Sequence, residues 1–266
     1  MTTSWIDPLF SLGSVRKAVW RLWYPFLTRR LRSEDVIFLN YAYEEDPPVG
    51  IPLAPEDEPN RACIQLYHHV VAPVPLTNQT VVEVSCGHGG GASFLSRTFD
   101  PHSYTAIDLN PAAIQLCKTR HHLPALSFKQ GDALNLPFND ASIDALINVE
   151  ASHCYPDFDR FLTEVRRVLR PGGHFLYADF RFSDRFQEWD RAFSNCGMEC
   201  VSIRQINAEV LRGMRRNSAR SLALVRRKLP KFLHSLGCDF AGTEGSRIYR
   251  ALASSEVAYR SYHLRN

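Results

Sequence analysis

Residues 81–91 read VVEVSCGHGGG, and four of the last five are glycine, directly behind a short β-branched run. A strand that ends in such a turn and then opens a helix carries bare backbone to the edge of a sheet. Gly87, Gly89 and Ala92 satisfy the spacing G-x-G-x-x-A, so a dinucleotide has to be considered. That spacing alone is a weak signal, because a glycine turn also serves helix-to-sheet packing.

Outward from the turn, the pattern repeats. Stretches 104–108 (YTAID), 126–132 (LSFKQGD), 143–149 (IDALINV) and 174–180 (HFLYADF) read as further strands. The segment 111–120 reads as a helix with proline just inside it and Asn110 as its cap. A helix over 158–169 is stopped by RPGG at 170–173. Strands and helices alternating at this spacing specify an α/β, doubly wound parallel sheet with right-handed crossovers. Further on, 198–206 is a candidate sixth strand, and 208–236 reads as helices carrying eight basic residues. Residues 257–264 alternate with a period of two and read as a last strand.

The first eighty residues differ. Residues 44–59 (EEDPPVGIPLAPEDEP) hold five prolines and six acids, which excludes a regular helix or a central strand. Residues 60–71 place apolar side chains at helical spacing behind Asn60, a candidate cap. Residues 15–32 mix six basic residues with Trp20, Trp23, Tyr24 and Phe26. Such a stretch suits an interfacial helix on anionic lipid, or an aromatic lid with solvated arginines. The expected organisation is therefore a helical lid and acidic loop over 1–79, then a ligand-binding domain over 80–266. Within that domain, 207–250 forms a helical insertion that caps the substrate.

Composition sets outer bounds. The chain has 266 residues, 45% apolar and 22% charged, with a net charge of +3, so no global field draws it to nucleic acid. Seven scattered cysteines argue against a disulfide framework and for a reducing compartment. There is no basic n-region followed by an apolar run, and no apolar stretch of bilayer length. The expected location is the cytoplasm, with contact at the inner face of the membrane through 15–32 left open. No Cys, His or acid spacing demands a metal.

Three acids narrow the ligand. Asp108 ends the second strand, nineteen residues after Gly89, where a carboxylate accepts from both hydroxyls of a ribose. Asp132, at the end of the third strand and followed by Ala133, can accept from the amino group of an adenine. Glu83 lies inside the first strand, two residues before the turn; it would repel a pyrophosphate and attract a cofactor bearing an ammonium and a sulfonium. On these residues the sequence resembles the class I S-adenosylmethionine-dependent methyltransferases, whose first motif here reads Glu83-Val84-Ser85-Cys86-Gly87-His88-Gly89. TAIDLN, GDALNLPF and VLRPGGHFLYADF follow in the expected order. The resemblance implies a Rossmann-like, seven-stranded sheet with an antiparallel last strand. It implies S-adenosyl-L-methionine as cofactor, held by Glu83, Ser85, Gly87, Gly89, Asp108, Leu109, Asp132, Ala133 and Asn148. Ser85 stands where the motif has glycine, and its hydroxyl can still cap the turn. NYAYEEDPP, EPNRACIQLYHH, NVEASHCYPDF and RQINAEVLRG extend the likeness to the phthiotriolone/phenolphthiotriolone dimycocerosate methyltransferases and the related glycopeptidolipid O-methyltransferases. Those enzymes methylate hydroxyls of cell-envelope lipids, which implies a lipid or glycolipid acceptor.

The chemistry falls to the fourth and fifth strand ends. An alcohol is a poor acid, so its oxygen needs a base during transfer. EASHCYPD puts Glu150, Ser152 and His153 at the ligand edge, and the imidazole suits a base near neutrality. Asp179, in the neighbouring strand, can orient that imidazole. The catalytic expectation is thus His153 as base, Asp179 behind it, and Glu150 at the cofactor's amino end or the imidazole. C-methylation of a lipid, a nicotinamide-dependent oxidoreductase and a non-catalytic adenosylmethionine-binding protein are the competing readings.

Overall fold

The computed structural model describes Thr28 and residues 36–266. The basic aromatic stretch 15–32 therefore lies, Thr28 apart, outside the described residues. Among these, seven strands form one sheet: β1 (Thr80–Val84), β2 (Ser103–Asp108), β3 (Leu126–Gln130), β4 (Ile143–Val149), β5 (Leu169–Phe182), β6 (Glu199–Gln205) and β7 (Val257–Arg265). Their order is β3-β2-β1-β4-β5-β7-β6. The first five pair in parallel, and β7 runs antiparallel to both β5 and β6. The expected seven-stranded sheet with an antiparallel last strand is the one observed.

Burial explains why these runs are strands. In β1, Val81 and Val82 are both buried although they point to opposite faces, because helices cover the sheet on each side. One face joins Val81, Ile147 and Leu176 to Ile64, Leu66, Phe94 and Leu95. The other joins Val82, Leu146 and Phe175 to Phe161, Trp189 and Tyr262. The first core holds α1 (Arg61–Val71) and α2 (Gly90–Phe99); the second holds α4 (Phe158–Val168) and α5 (Phe186–Asn195). Between α2 and α4 comes α3 (Pro111–Arg120), and Asn110 caps it as expected, its side chain accepting from the Ala112 N–H. The helices α6 (Asn207–Lys228), α7 (His234–Phe240) and α8 (Arg247–Ala253) fill the interval between β6 and β7. No described helix is long and apolar enough to cross a membrane.

Three local expectations differ from the structure. RPGG lies within β5 and does not precede it. Gly172 adopts φ +79, the ladder shifts register between Ile143 and Ala145, and Asn266 closes the irregularity by exchanging backbone hydrogen bonds with Gly172 and Gly173. β3 ends at Gln130, so Asp132 sits beyond it in a turn bridged to Asn135. Asn60 occupies the cap position of α1 without capping it; its Oδ1 accepts from Arg220 of α6 instead.

β1 lies between β2 and β4, so the chain leaves it in one direction across the sheet and returns in the other. The crevice of a doubly wound sheet opens at the carboxyl ends of the strands flanking that reversal. Residues 36–45 cross over this edge. The Gly90 N–H donates to Ile37 O at 3.0 Å, the Tyr43 N–H to Ala62 O at 2.7 Å, and the Glu44 N–H to Glu209 O at 3.0 Å.

Candidate active site

A cavity of about 1800 Å³ opens at that edge. Its floor is the ends of β1, β2, β4 and β5, one wall is residues 37–41 with Tyr67 of α1, and another includes Leu222 of α6 and Leu236 and Phe240 of α7. Of the glycine run, Gly87 lines the cavity and Gly89 does not. The following glycines yield to this chain's own parts. A Cβ on Gly90 would stand 2.5 Å from Ile37 O, and one on Gly91 would stand 2.1 Å from the Tyr67 ring.

Asp108 reaches the cavity, its carboxylate accepting from the Gly87 N–H at 3.0 Å and the Asn110 N–H at 2.8 Å. Burial pushes its pKa up to about 6 against the pull of those two donors. Leu109, half exposed, lies next to it, and Asp132 and Ala133 face the same space from beyond β3. Two carboxylates flanking an apolar surface are the acceptor set that a nucleoside with free hydroxyls and an exocyclic amine requires, so the site fits adenosine.

Three expected cofactor residues stand elsewhere. Glu83 does not line the cavity: it is 1% exposed, and its two oxygens accept from Tyr67 at 3.0 Å and Tyr104 at 2.8 Å. Burial raises its pKa to about 7. The strand's alternation turns this carboxylate into the α1 face, where Tyr67 meets it. Asn148 is likewise fully buried, donating to Val84 O and Tyr155 Oη, both at 2.9 Å. Gly89 packs against Phe128, Cys117 and His121. Ser85 does line the cavity and adopts φ 63, the left-handed conformation for which the motif uses glycine. Its hydroxyl does not cap the turn; it pairs with Tyr155 Oη at 2.6 Å.

The strand ends β4 and β5 bring His153 and Asp179 together. His153 Nδ1 donates to Asp179 Oδ1 at 2.8 Å, and the imidazole stacks on Phe180 with ring centroids 4.4 Å apart. Asp179 is wholly buried. It also accepts from Ser152 Oγ at 2.6 Å and from the His153 and Phe180 N–H groups at 2.8 Å. Burial opposes its charge, but His153 and Arg181 outweigh that and hold its pKa well below the carboxylate range. For His153, burial works against the imidazolium; proximity to Cys154 and Asp179 overrides it and pushes the group up to about 10.

Glu150 lines the cavity too, at φ 52. Its Oε2 accepts from the Tyr41 N–H and from Tyr259 Oη, both at 2.8 Å, and burial raises its pKa to about 8. Tyr41, Tyr155, Arg181 and Tyr259 are site residues that the sequence reading missed. Arg181 carried a signal: it is a charge inside the aromatic run YADFRF, and a charge in a buried strand needs a partner.

Comparison with known proteins supplies independent findings. The family profile described as a methyltransferase domain matches residues 82–177. A phthiotriol/phenolphthiotriol dimycocerosates methyltransferase of Mycobacterium leprae (strain TN) is 54% identical over 249 residues, 94% of this chain and 92% of that protein. A fatty-acid O-methyltransferase of Mycolicibacterium smegmatis is 49% identical over 242 residues, 91% and 88% of the two chains. Among solved structures, the [4+2]-cyclase SpnF superposes with a TM-score of 0.69 at 17% identity, over 94% of this chain and 96% of its own. A putative sarcosine dimethylglycine methyltransferase from Galdieria sulphuraria does so with a TM-score of 0.68 at 15% identity, over 91% and 97%. At those identities the likeness to solved structures concerns the fold alone.

Proposed function

This chain belongs to the class I S-adenosylmethionine-dependent methyltransferases, and from that premise we propose that it methylates a hydroxyl of a long-chain lipid, with His153 as the base. The observation that carries this reading is His153 in the wall of the cavity, with the buried Asp179 2.8 Å behind it. The resemblance read from the motifs and the two relatives named above both support a lipid acceptor.

S-adenosylmethionine, when bound, supplies a methyl group already activated by a positively charged sulfur. Asp108, Leu109, Asp132 and Ala133 are the residues that would hold its nucleoside, and Ser85 and Gly87 those at the turn. Glu83, Gly89 and Asn148 act from behind, as the packing that fixes the turn. The cavity, at about 1800 Å³, exceeds the roughly 300–1,000 Å³ of a typical small-molecule pocket. That surplus leaves space for an acceptor, and Leu222, Leu236 and Phe240 give the cap an apolar inner surface.

His153 takes the hydroxyl proton at Nε2, because Nδ1 faces Asp179. Asp179 fixes the tautomer and stabilises the imidazolium that forms. An imidazole with so high a pKa is charged at neutral pH; beside a positively charged cofactor the imidazolium would be disfavoured, leaving His153 the stronger candidate to accept a proton. Glu150, pinned by Tyr41 and Tyr259, puts a second titratable carboxyl in the same wall, where incoming positive charge favours its ionisation.

A second reading, methylation of a fatty-acid carboxylate, has one observation in its favour: Arg181 lines the cavity. Its guanidinium is already committed to Asp179, Ser152 and Phe180 O. A carboxylic acid also loses its proton at neutral pH without a base, so the dyad favours the hydroxyl. The test is incubation with methyl-labelled cofactor and a lipid extract from a strain lacking this enzyme, then mass analysis of what gains label. Label in an ether is the expected result; label recovered solely in methyl esters would overturn it. His153→Ala should retain adenosylhomocysteine affinity in calorimetry while losing roughly 10²–10⁴-fold in turnover.

A further inference from the structure

We infer that Arg181 is a positioning residue for this reaction: it holds the Asp179 carboxylate aimed at His153 and shares its negative charge, and so sets the pH at which the base works. This rests on the reading of His153 as the base.

Arg181 is 8% exposed, an unusual place for a guanidinium. Nη1 lies 3.1 Å from Asp179 Oδ2 and donates to Phe180 O at 2.8 Å, and Nη2 donates to Ser152 Oγ at 2.8 Å. Its central carbon sits 5.1 Å from the ring centroids of both Phe158 and Trp189. Two aromatic faces, from α4 and α5, thus clamp the cation while its donors meet Asp179 and the serine that itself donates to Asp179. The two carboxylate oxygens are divided: Oδ1 faces the imidazole and Oδ2 faces Arg181.

That division has a chemical consequence. A wholly buried carboxylate facing an imidazole alone would hold the proton on the imidazole with its full charge. A second cation on the other oxygen offsets part of that charge and also repels the imidazolium, so both effects move the proton the same way. The remaining titratable groups around the pair come from its own elements and from two others. Glu150 and Cys154 stand on the same turn as His153, Tyr177 lies on β5, Tyr259 comes from β7, and Tyr41 comes from the crossing segment.

The test is the pH dependence of single-turnover methylation of the lipid acceptor for the wild type and four variants, with adenosylhomocysteine binding as the check of folding. Arg181→Gln keeps a donor and removes the charge. Its acidic limb should move upward by about one pH unit or more, with turnover recovering towards wild type at high pH. Arg181→Met, whose unbranched side chain fills the slot between Phe158 and Trp189, should shift the same way and decides the matter if the glutamine is not tolerated. Arg181→Lys, which keeps the charge, should keep the limb near that of the wild type. A limb left in place by both neutral variants, or a loss that is uniform across pH, overturns the inference. His153→Ala separates the two claims. If the wild-type limb survives in that variant, His153 is not the base; if it vanishes there yet ignores Arg181, only the role of Arg181 fails.

Discussion

Four carboxylates near the ligand edge show how partners decide a residue's charge. Asp179 has two cations beside it and is held low; Asp108, Glu83 and Glu150 are stabilised by neutral donors and are driven up, to about 6, 7 and 8. Burial penalises every one of these charges, and only opposite charge at close range outweighs it. Glu83 gives a clean stability prediction. Its folded pKa of about 7 exceeds the ordinary 4.5. Its contribution is therefore fully present below pH 4.5 and is lost as pH rises through 7. In Glu83→Gln the carboxamide still meets one tyrosine as acceptor and the other as donor, and nothing there titrates. Melting temperature measured from pH 5 to 8 should fall less steeply in this variant than in the wild type. A parallel decline in the two proteins would mean that Glu83 is ionised throughout.

At the level of elements, the glycine run is explained by what crosses it. α1 lays the Tyr67 ring against Gly91, and the crossing segment lays Ile37 O on Gly90. Helix propensity would favour alanine at Gly91 by up to ~1 kcal/mol. The 2.1 Å approach to Tyr67 opposes it, and overpacking of that kind typically costs about 1–3 kcal/mol. Gly91→Ala should therefore lower the urea midpoint. Tyr67→Leu alone should lower it too, since the hydrogen bond to Glu83 is lost. Combined, the two should cost less than their sum, because the smaller side chain vacates the space the alanine needs. Strict additivity in that cycle would show that α1 and α2 are not coupled through this contact.

Across the whole molecule, the cavity joins pieces far apart in the chain: residues 37–41, the strand ends near 85, 108, 150 and 180, and the helices near 222–240. On the proposed reading that these helices cap the acceptor, a change in them should affect acceptor and cofactor differently. Leu236→Trp is expected to raise KM for the lipid roughly tenfold or more, leaving adenosylhomocysteine affinity unchanged; equal losses in both would assign α7 to the cofactor site. The repeating strand-and-helix pattern, the strand–turn–helix of the glycine run, and Asp108 at the end of β2 were legible in the sequence alone, as was the nearness of His153 and Asp179 at neighbouring strands; Asp132 was read into β3 but lies in the turn beyond it. Periodicity and turn residues are local properties, and in a doubly wound sheet a strand end is already a location in space. Which way a side chain faces, and what it meets, depended on the assembled sheet. Glu83 turned inward to Tyr67 and Tyr104, Ser85 turned to Tyr155, RPGG entered β5 because Asn266 tied it down, and Arg181 reached Asp179 between Phe158 and Trp189. Apart from Arg181 and Asp179, two residues apart on β5, those partners lie tens of residues away or on other elements, and no local pattern encodes such a distance; packing two helical layers on one sheet brings them together.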